Sequence, residues 1–96
     1  LAGTIPPELG NLAALEYLEL EENELSSIPK ELGGLSELQK LYLSSNQLTG
    51  PIPPELGKLE ALQQLHLWSN KLSGSIPPEL GGLGALQELD LYFNQL

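Results

Sequence analysis

Three side chains of this sequence have the chemistry of a nucleophilic triad. His66 is the only histidine, Asp90 follows it by 24 residues, and Ser44 precedes it by 22. A base, a carboxylate that orients it and a hydroxyl are the parts of such a triad. His66 and Asp90, together with Glu88, are also the residues that could bind a metal ion. Whether these groups can act depends on the elements that hold them.

Neither kind of chemistry is expected. The three triad residues would lie on an open sheet whose backbone N–H groups bond to neighbouring strands, so no donor remains for an oxyanion and nothing excludes water. One histidine with two exposed acids makes a weak and unselective metal site. No glycine-rich loop follows a strand and opens a long helix. We therefore predict no catalytic residue, no metal and no cofactor.

The element around His66 is the stretch LHLWSN, which begins at Leu65 and ends at Asn70. Two leucines alternate with His66 and Trp68, and a period of two predicts a strand with one buried face. The leucines then point inward, and the two rings point outward. We expect Trp68 to be substantially exposed to solvent.

The same pattern recurs along the whole chain. Each unit reads L-x-x-L-x-x-L-x-L-x-x-N-x-L, then a turn, then I-P-x-E-L-G-x. Its asparagines, Asn23, Asn46, Asn70 and Asn94, are 23, 24 and 24 residues apart. We divide the chain into full repeats at 12–34, 35–58 and 59–82, with partial repeats at 1–11 and 83–96. A lone unit cannot bury its leucines, so successive units must stack.

This pattern predicts an α/β fold, a right-handed leucine-rich solenoid. Its strands form a parallel sheet on the concave side, and short 3₁₀ or α-helical turns lie on the convex side. The segment from Pro53 to Gly57 is typical of such a turn, because proline suits a first helical position, an acid complements the positive end and glycine permits the exit. A column of asparagines can satisfy the backbone of the tight turns.

Three turn segments read L-x-G-x-I-P, at residues 1–6, 48–53 and 72–77. The chain thereby resembles the plant-type leucine-rich repeat of receptor-like kinase ectodomains and polygalacturonase-inhibiting proteins. The resemblance implies a small second sheet and a twist of the coil. It does not extend to Ser26 and Ser27, where the glycine is missing and the unit has 23 residues, so the second sheet is not expected there.

The ends differ from those of family members. Receptor and inhibitor ectodomains usually carry cysteine-bearing caps, whereas this chain has no cysteine and begins and ends within a unit. We expect an uncapped excerpt of about four repeats from a longer array, or else a protein that dimerises. Leu1, Leu89, Leu91 and Leu96 would then be partly exposed, and the isolated chain could associate through its sheet edges.

The outward strand positions carry the candidate binding residues. Stacking places equivalent positions in rows across the strands. The first row is Glu19, Tyr42, His66 and Asp90, and the second is Glu21, Ser44, Trp68 and Tyr92. Four of these, Tyr42, His66, Trp68 and Tyr92, form what we call the aromatic patch. Exposed aromatic groups with polar neighbours mark interaction sites. The alternative is that aromatics occur here by strand propensity alone, with Tyr17 and Phe93 packing locally.

Charge narrows the choice of partners. The formal net charge is −9, and such a surface repels nucleic acid and anionic membranes. The acidic first strand could attract a basic segment of a partner, or could be a solvated face only. We predict a non-catalytic module that binds a protein or peptide on its concave face, as part of a receptor-like kinase ectodomain or a related protein.

Two alternatives remain open: a structural spacer within a longer solenoid, and an intracellular scaffold or immune sensor. The resemblance favours an extracellular or cell-surface location, and the lack of cysteine leaves the cytoplasm open.

Overall fold

The computed structural model describes residues 2–96. These residues form eight short strands and four 3₁₀ helices, with two strands between successive helices. The strands are β1 Ala2–Gly3, β2 Tyr17–Glu19, β3 Glu24–Leu25, β4 Lys40–Tyr42, β5 Thr49–Gly50, β6 Gln64–His66, β7 Lys71–Leu72 and β8 Glu88–Asp90. The 3₁₀ helices are Pro7–Asn11, Lys30–Gly34, Pro54–Lys58 and Pro78–Gly82. In this part of the chain, no helix is long and apolar enough to cross a membrane.

The main sheet is parallel and has the order β2-β4-β6-β8. Leu18, Leu41, Leu65 and Leu89 are paired in register across it. The predicted solenoid, with a concave parallel sheet and short 3₁₀ turns outside, is confirmed. The turn predicted from Pro53 begins one residue later, at Pro54. Pro53 itself is extended, and so is the equivalent Pro29, which Lys30 follows; this is the usual backbone of a residue that caps the start of a helix.

One apolar cluster runs along the inside of the coil. Leu41, Leu43, Leu65 and Leu67 have no solvent exposure. At the two ends the equivalent leucines are less covered, so the core is complete only where a repeat lies on each side. Leu89 and Leu96 are exposed and Leu91 is partly buried, as expected. Leu1, the remaining residue of that expectation, lies outside the described residues.

Asparagine side chains tie each repeat to the one before it. Asn70 Nδ2 donates to the carbonyls of Leu43 and Leu67, at 3.1 and 3.0 Å. Its Oδ1 accepts from the backbone N–H groups of Asn46 and Leu48, at 3.2 and 3.1 Å. Asn46 bonds in the same way to the preceding turn. This asparagine ladder satisfies buried backbone groups of the tight turns, as predicted.

The second sheet extends into the 23-residue unit, where it was not expected, because β3 pairs with β1 there. It does not continue from β3 to β5, and β5 pairs with β7 in a separate two-stranded sheet. Thr49 N still donates to Ser26 O at 3.1 Å across the gap. The missing residue in the 23-residue unit therefore breaks the sheet without separating the repeats.

The residue before each asparagine of the ladder has left-handed backbone geometry. Its φ is 57° at Glu22, Ser45 and Ser69, and 56° at Phe93. None of these residues is glycine or asparagine, which most readily adopt this region. The turn away from the sheet thus imposes a conformation that the residue types do not predict.

Candidate recognition surface

The strand register brings the first predicted row together. Glu19 is aligned with Tyr42, Tyr42 with His66, and His66 with Asp90. All four residues alternate with leucines of the inner side, which directs them to the concave face. The second row lies beyond the strand ends, but backbone hydrogen bonds continue the register. Ser45 N donates to Trp68 O at 3.0 Å, and the next repeat has the equivalent bond.

Tyr42 and His66 form the first ring stack of the aromatic patch. Their centroids are 4.3 Å apart and their planes differ by 9°. The Tyr42 hydroxyl donates to Gln64 Oε1 on the neighbouring strand. The stack and the hydrogen bond together fix the Tyr42 ring, so this part of the surface is ordered before any ligand binds.

Two carboxylates hold the other side of His66. Its Nε2 lies 3.1 Å from Glu88 Oε2 and 3.6 Å from Asp90 Oδ2. The His66 side chain is 17% exposed, and the Glu88 side chain is 53% exposed. Asp90 belongs to the predicted surface, whereas the nearer carboxylate is that of Glu88, which the sequence indicated only as a possible metal ligand. Glu88 lies two residues before Asp90 on the same strand face, and that spacing could have identified it.

Trp68 and Tyr92 form the second ring stack. Their centroids are 5.7 Å apart and their planes differ by 7°. Phe93 meets Tyr92 edge to face at 5.1 Å. Trp68 is partly buried, which corrects the expectation of substantial exposure, since one face of the indole lies against Tyr92. Of these three rings, the exposed ones are instead Tyr92 at 54% and Phe93 at 75%.

Phe93 is an addition to the predicted surface. Local packing at a turn was the alternative interpretation of Phe93; the ring does pack edge to face on Tyr92, but most of it faces solvent. The signal that could have found it is its place in the column before the asparagines, where the other repeats carry Glu22, Ser45 and Ser69.

Ser44 differs from the expected exposed position. It is completely buried, and its Oγ has no hydrogen-bond partner. Its neighbours in the second row are the exposed Glu21 and the partly buried Trp68. Ser44 is therefore not accessible to a ligand in this conformation, and its hydroxyl makes no hydrogen bond to His66.

The acidic end of the surface is open to solvent. Glu19 and Glu21 are exposed, and so are Glu16, Glu22 and Glu24 around the same strand. Within residues 2–96, the contacts at salt-bridge distance are those between His66 Nε2 and its two acids. The nearby Lys40 lies over the Tyr17 ring instead, with Nζ 5.1 Å from its centroid. The carboxylates of Glu19 and Glu21 therefore keep their charge available.

The surface has the geometry of a binding face. The triad parts are not assembled, because Ser44 Oγ makes no hydrogen bond to a base. No group of three or more potential ligands in the described part of the chain could hold a metal ion. The two rows present ordered aromatic rings, polar ring atoms and exposed carboxylates on a parallel sheet.

Comparison with known proteins gives one family. Residues 2–96 match the model of a leucine-rich repeat region. A comparison with curated protein sequences finds no match.

Solved structures that resemble the chain include plant receptor ectodomains. One is the ectodomain of the receptor kinase GASSHO1/SCHENGEN3 from Arabidopsis thaliana in complex with CASPARIAN STRIP INTEGRITY FACTOR 2, with a TM-score of 0.95 and 45% identity over 97% of this chain. A second is PEPR1–AtPEP1, with a TM-score of 0.95 and 50% identity over 98%. A third is the Arabidopsis receptor kinase HAESA with the peptide hormone IDA and the co-receptor SERK1, at 0.91 and 44% over 97%. The chain spans 11%, 13% and 16% of these three chains, respectively.

Proposed function

Because this chain belongs to the leucine-rich repeat family, we propose that its concave face is a non-catalytic recognition surface for a protein or peptide. The observation that carries the proposal is the pair of ring stacks outside a complete leucine core. Leu65 and Leu67 are fully buried on either side of His66, so the outward rings are not needed to fill the interior. We further propose that this chain is part of a receptor-like kinase ectodomain, as its likeness to such ectodomains suggests.

Ring stacking suits this role. Tyr42 is held by His66 and Gln64, and Trp68 is held by Tyr92. A ring that is already fixed loses little conformational freedom when a partner covers it. Tyrosine and tryptophan also supply large contact area with only two side-chain torsions each. The aromatic patch is therefore the proposed centre of the interface, with Tyr92 and the adjoining Phe93 as its most accessible rings.

The acidic end of the surface indicates that the proposed partner carries positive charge. Glu19 and Glu21 flank the aromatic patch and make no ion pair with the lysines of the described residues. A partner with a lysine or arginine segment would supply the missing countercharge and associate faster at low salt. We propose that the patch binds the apolar part of a ligand and that these glutamates bind its basic part.

Two of the similar structures support a bound partner, which for HAESA is a peptide. The structures of HAESA and GASSHO1/SCHENGEN3 contain a peptide hormone and an integrity factor, respectively. For the present chain, peptide binding stays a proposal.

The test is a binding comparison between rings inside and outside the aromatic patch. A displayed peptide library, together with the peptides of the neighbouring receptors, is selected on the wild-type chain. We expect Trp68→Ala and Tyr92→Ala to weaken the selected ligands by at least about tenfold, the scale of a hot-spot residue. Tyr17→Ala removes an equally exposed ring outside the patch and should leave affinity within about twofold, as expected of a near-neutral position.

The opposite result would favour the alternative function, a structural spacer within a longer solenoid. If selection recovers no ligand, or if the three variants bind equally well, the concave face of this segment is not the recognition surface. Circular dichroism of each variant must match the wild type, so that loss of binding is not loss of fold.

A further inference from the structure

His66 is the only histidine of the chain, and it lies on β6 with a strand of the main sheet on each side. On the β8 side, its Nε2 is 3.1 Å from Glu88 Oε2 and 3.6 Å from Asp90 Oδ2. On the β4 side, the Tyr42 ring stacks on it at 4.3 Å between centroids. Both adjoining strands therefore hold the imidazole on the concave face.

One other charged side chain lies close by on β4, that of Lys40. Lys40 is paired in register with Gln64, two residues before His66 on the same strand. Its Nζ lies over the Tyr17 ring, toward β2 and away from β6. The groups that face His66 from the neighbouring strands are thus the two carboxylates and the Tyr42 phenol.

Protonation changes what His66 can do with these groups. A neutral imidazole donates from one ring nitrogen, whereas an imidazolium donates from both and carries a positive charge. The charged ring is attracted to Glu88 and Asp90, and also to the face of Tyr42, because an aromatic face attracts cations. Protonation therefore tightens the contacts of His66 and removes one net negative charge from this part of the concave face.

The charge of His66 also acts on the surface proposed for recognition. His66 and Tyr42 are half of the aromatic patch, and Tyr42 is paired in register with Glu19, which is proposed to bind the basic part of a ligand. Two strand spacings of about 4.8 Å each separate the His66 and Glu19 positions. That separation is close to the screening length of about 8 Å at physiological salt, so a basic group bound at Glu19 experiences the charge on His66.

We propose that His66 makes recognition on the concave face pH-dependent. Histidine is the side chain whose charge ordinarily changes between about pH 5 and 8. While His66 is neutral, the carboxylates of the face attract a basic partner. When His66 gains a proton, it engages Glu88 and Asp90 and repels the lysine or arginine of the partner, so binding weakens as the pH falls. Because this pH dependence concerns the same face and the same charge of partner, it rests on the proposed function.

The test measures the affinity of a basic peptide at two pH values. Peptides are selected on the wild-type chain at about pH 7.5 from a displayed library without histidine, cysteine or acidic residues. They are synthesised with both ends blocked, so that the peptide itself does not titrate. We expect the dissociation constant to be about threefold or more higher at about pH 5.5, the scale of one charge at this separation. In His66→Gln, whose amide stays neutral, the two constants should agree within experimental error, whatever affinity the variant keeps.

Failure of the pH dependence differs from failure of the proposed function. If selection recovers no peptide, both are overturned. Peptides that bind the wild type equally at both pH values, or whose affinity changes as much with His66→Gln, would overturn the role of His66 and leave the recognition surface standing. Added sodium chloride should reduce the wild-type difference, because salt screens the charge.

A measurement without ligand checks the contact itself. Nuclear magnetic resonance gives one set of imidazole signals, because the chain has one histidine. Along a pH titration, the ring signals of Tyr42 should move in step with those of His66, since the two rings are stacked. The signals of Tyr17, which contacts Lys40 instead, should not follow them. Tyr42 signals that stay fixed while the histidine signals move would overturn the coupling.

Discussion

Trp68 shows how a strand residue can face outward and still be partly covered. Its neighbour in the row, Tyr92, stacks on it at 5.7 Å between centroids. The alternation with Leu65 and Leu67 indicated the direction of the indole correctly. The alternation could not indicate how far the indole is buried, because its burial depends on which side chains of the adjacent strands lie next to it.

Removing that neighbour should change the spectroscopy of Trp68. Tyr92→Ala uncovers one face of the only tryptophan, so its emission should shift to longer wavelength and acrylamide should quench it more strongly. The change in unfolding free energy should stay within about 1.5 kcal/mol, the upper range for an aromatic pair.

Tyr17→Ala is the control, because Tyr17 is an exposed ring that stacks on Lys40 rather than on Trp68. Its emission spectrum should match the wild type. Identical quenching of the wild type and Tyr92→Ala would show that the stack does not persist in solution.

At the scale of the element, the asparagine ladder is the part most sensitive to single substitutions. Asn70→Ala leaves the N–H groups of Asn46 and Leu48 without their buried acceptor. Each buried unsatisfied group costs about 1–3 kcal/mol, so the loss should be about 3 kcal/mol or more. Asn70→Asp should cost at least as much, because its second oxygen faces carbonyls to which the amide donated.

Chemical denaturation measures both losses against a matched control. Asn11 is an exposed asparagine at the end of the first 3₁₀ helix, and Asn11→Ala should change the unfolding free energy by about 0.5 kcal/mol or less. Similar losses at Asn11 and Asn70 would contradict the role assigned to the ladder.

The elements were largely predictable because one repeat supports the interpretation of the next. Leucine spacing predicted the strand register. The missing glycine near Ser26 predicted no second sheet in that unit, whereas β3 pairs with β1 there and only the strand pairing with β5 is lost. Two features were not predictable. Phe93 has a φ that its residue type disfavours, and Ser44 is fully buried on the outward side of its strand. The positive φ recurs before every asparagine, at residues of different type, so it is set by the turn and not by the residue.

At the scale of the molecule, one shared core runs the length of the coil. Leu67 lies in the middle of it without solvent exposure. Leu67→Ala should therefore cost about 2–5 kcal/mol through the cavity that it leaves. Tyr42→Ala removes a ring from the concave face and should cost about 1 kcal/mol. Thermal melts of the two variants measure the difference. Equal melting temperatures would contradict the assignment of Leu67 to the core and Tyr42 to the concave face.

The asparagine ladder also bears on how the protein ages. Deamidation of Asn70 would turn its side-chain amide into a carboxylate, which lacks the donors that the neighbouring carbonyls require. The reaction needs the backbone nitrogen of the following residue to attack the side chain, and that nitrogen, on Lys71, donates to Leu48 O at 2.8 Å. While the coil is folded, the ladder thus protects its own amides. Once a repeat opens, the damaged side chain no longer fits on reclosure, so chemical lifetime is set by how often the repeats open.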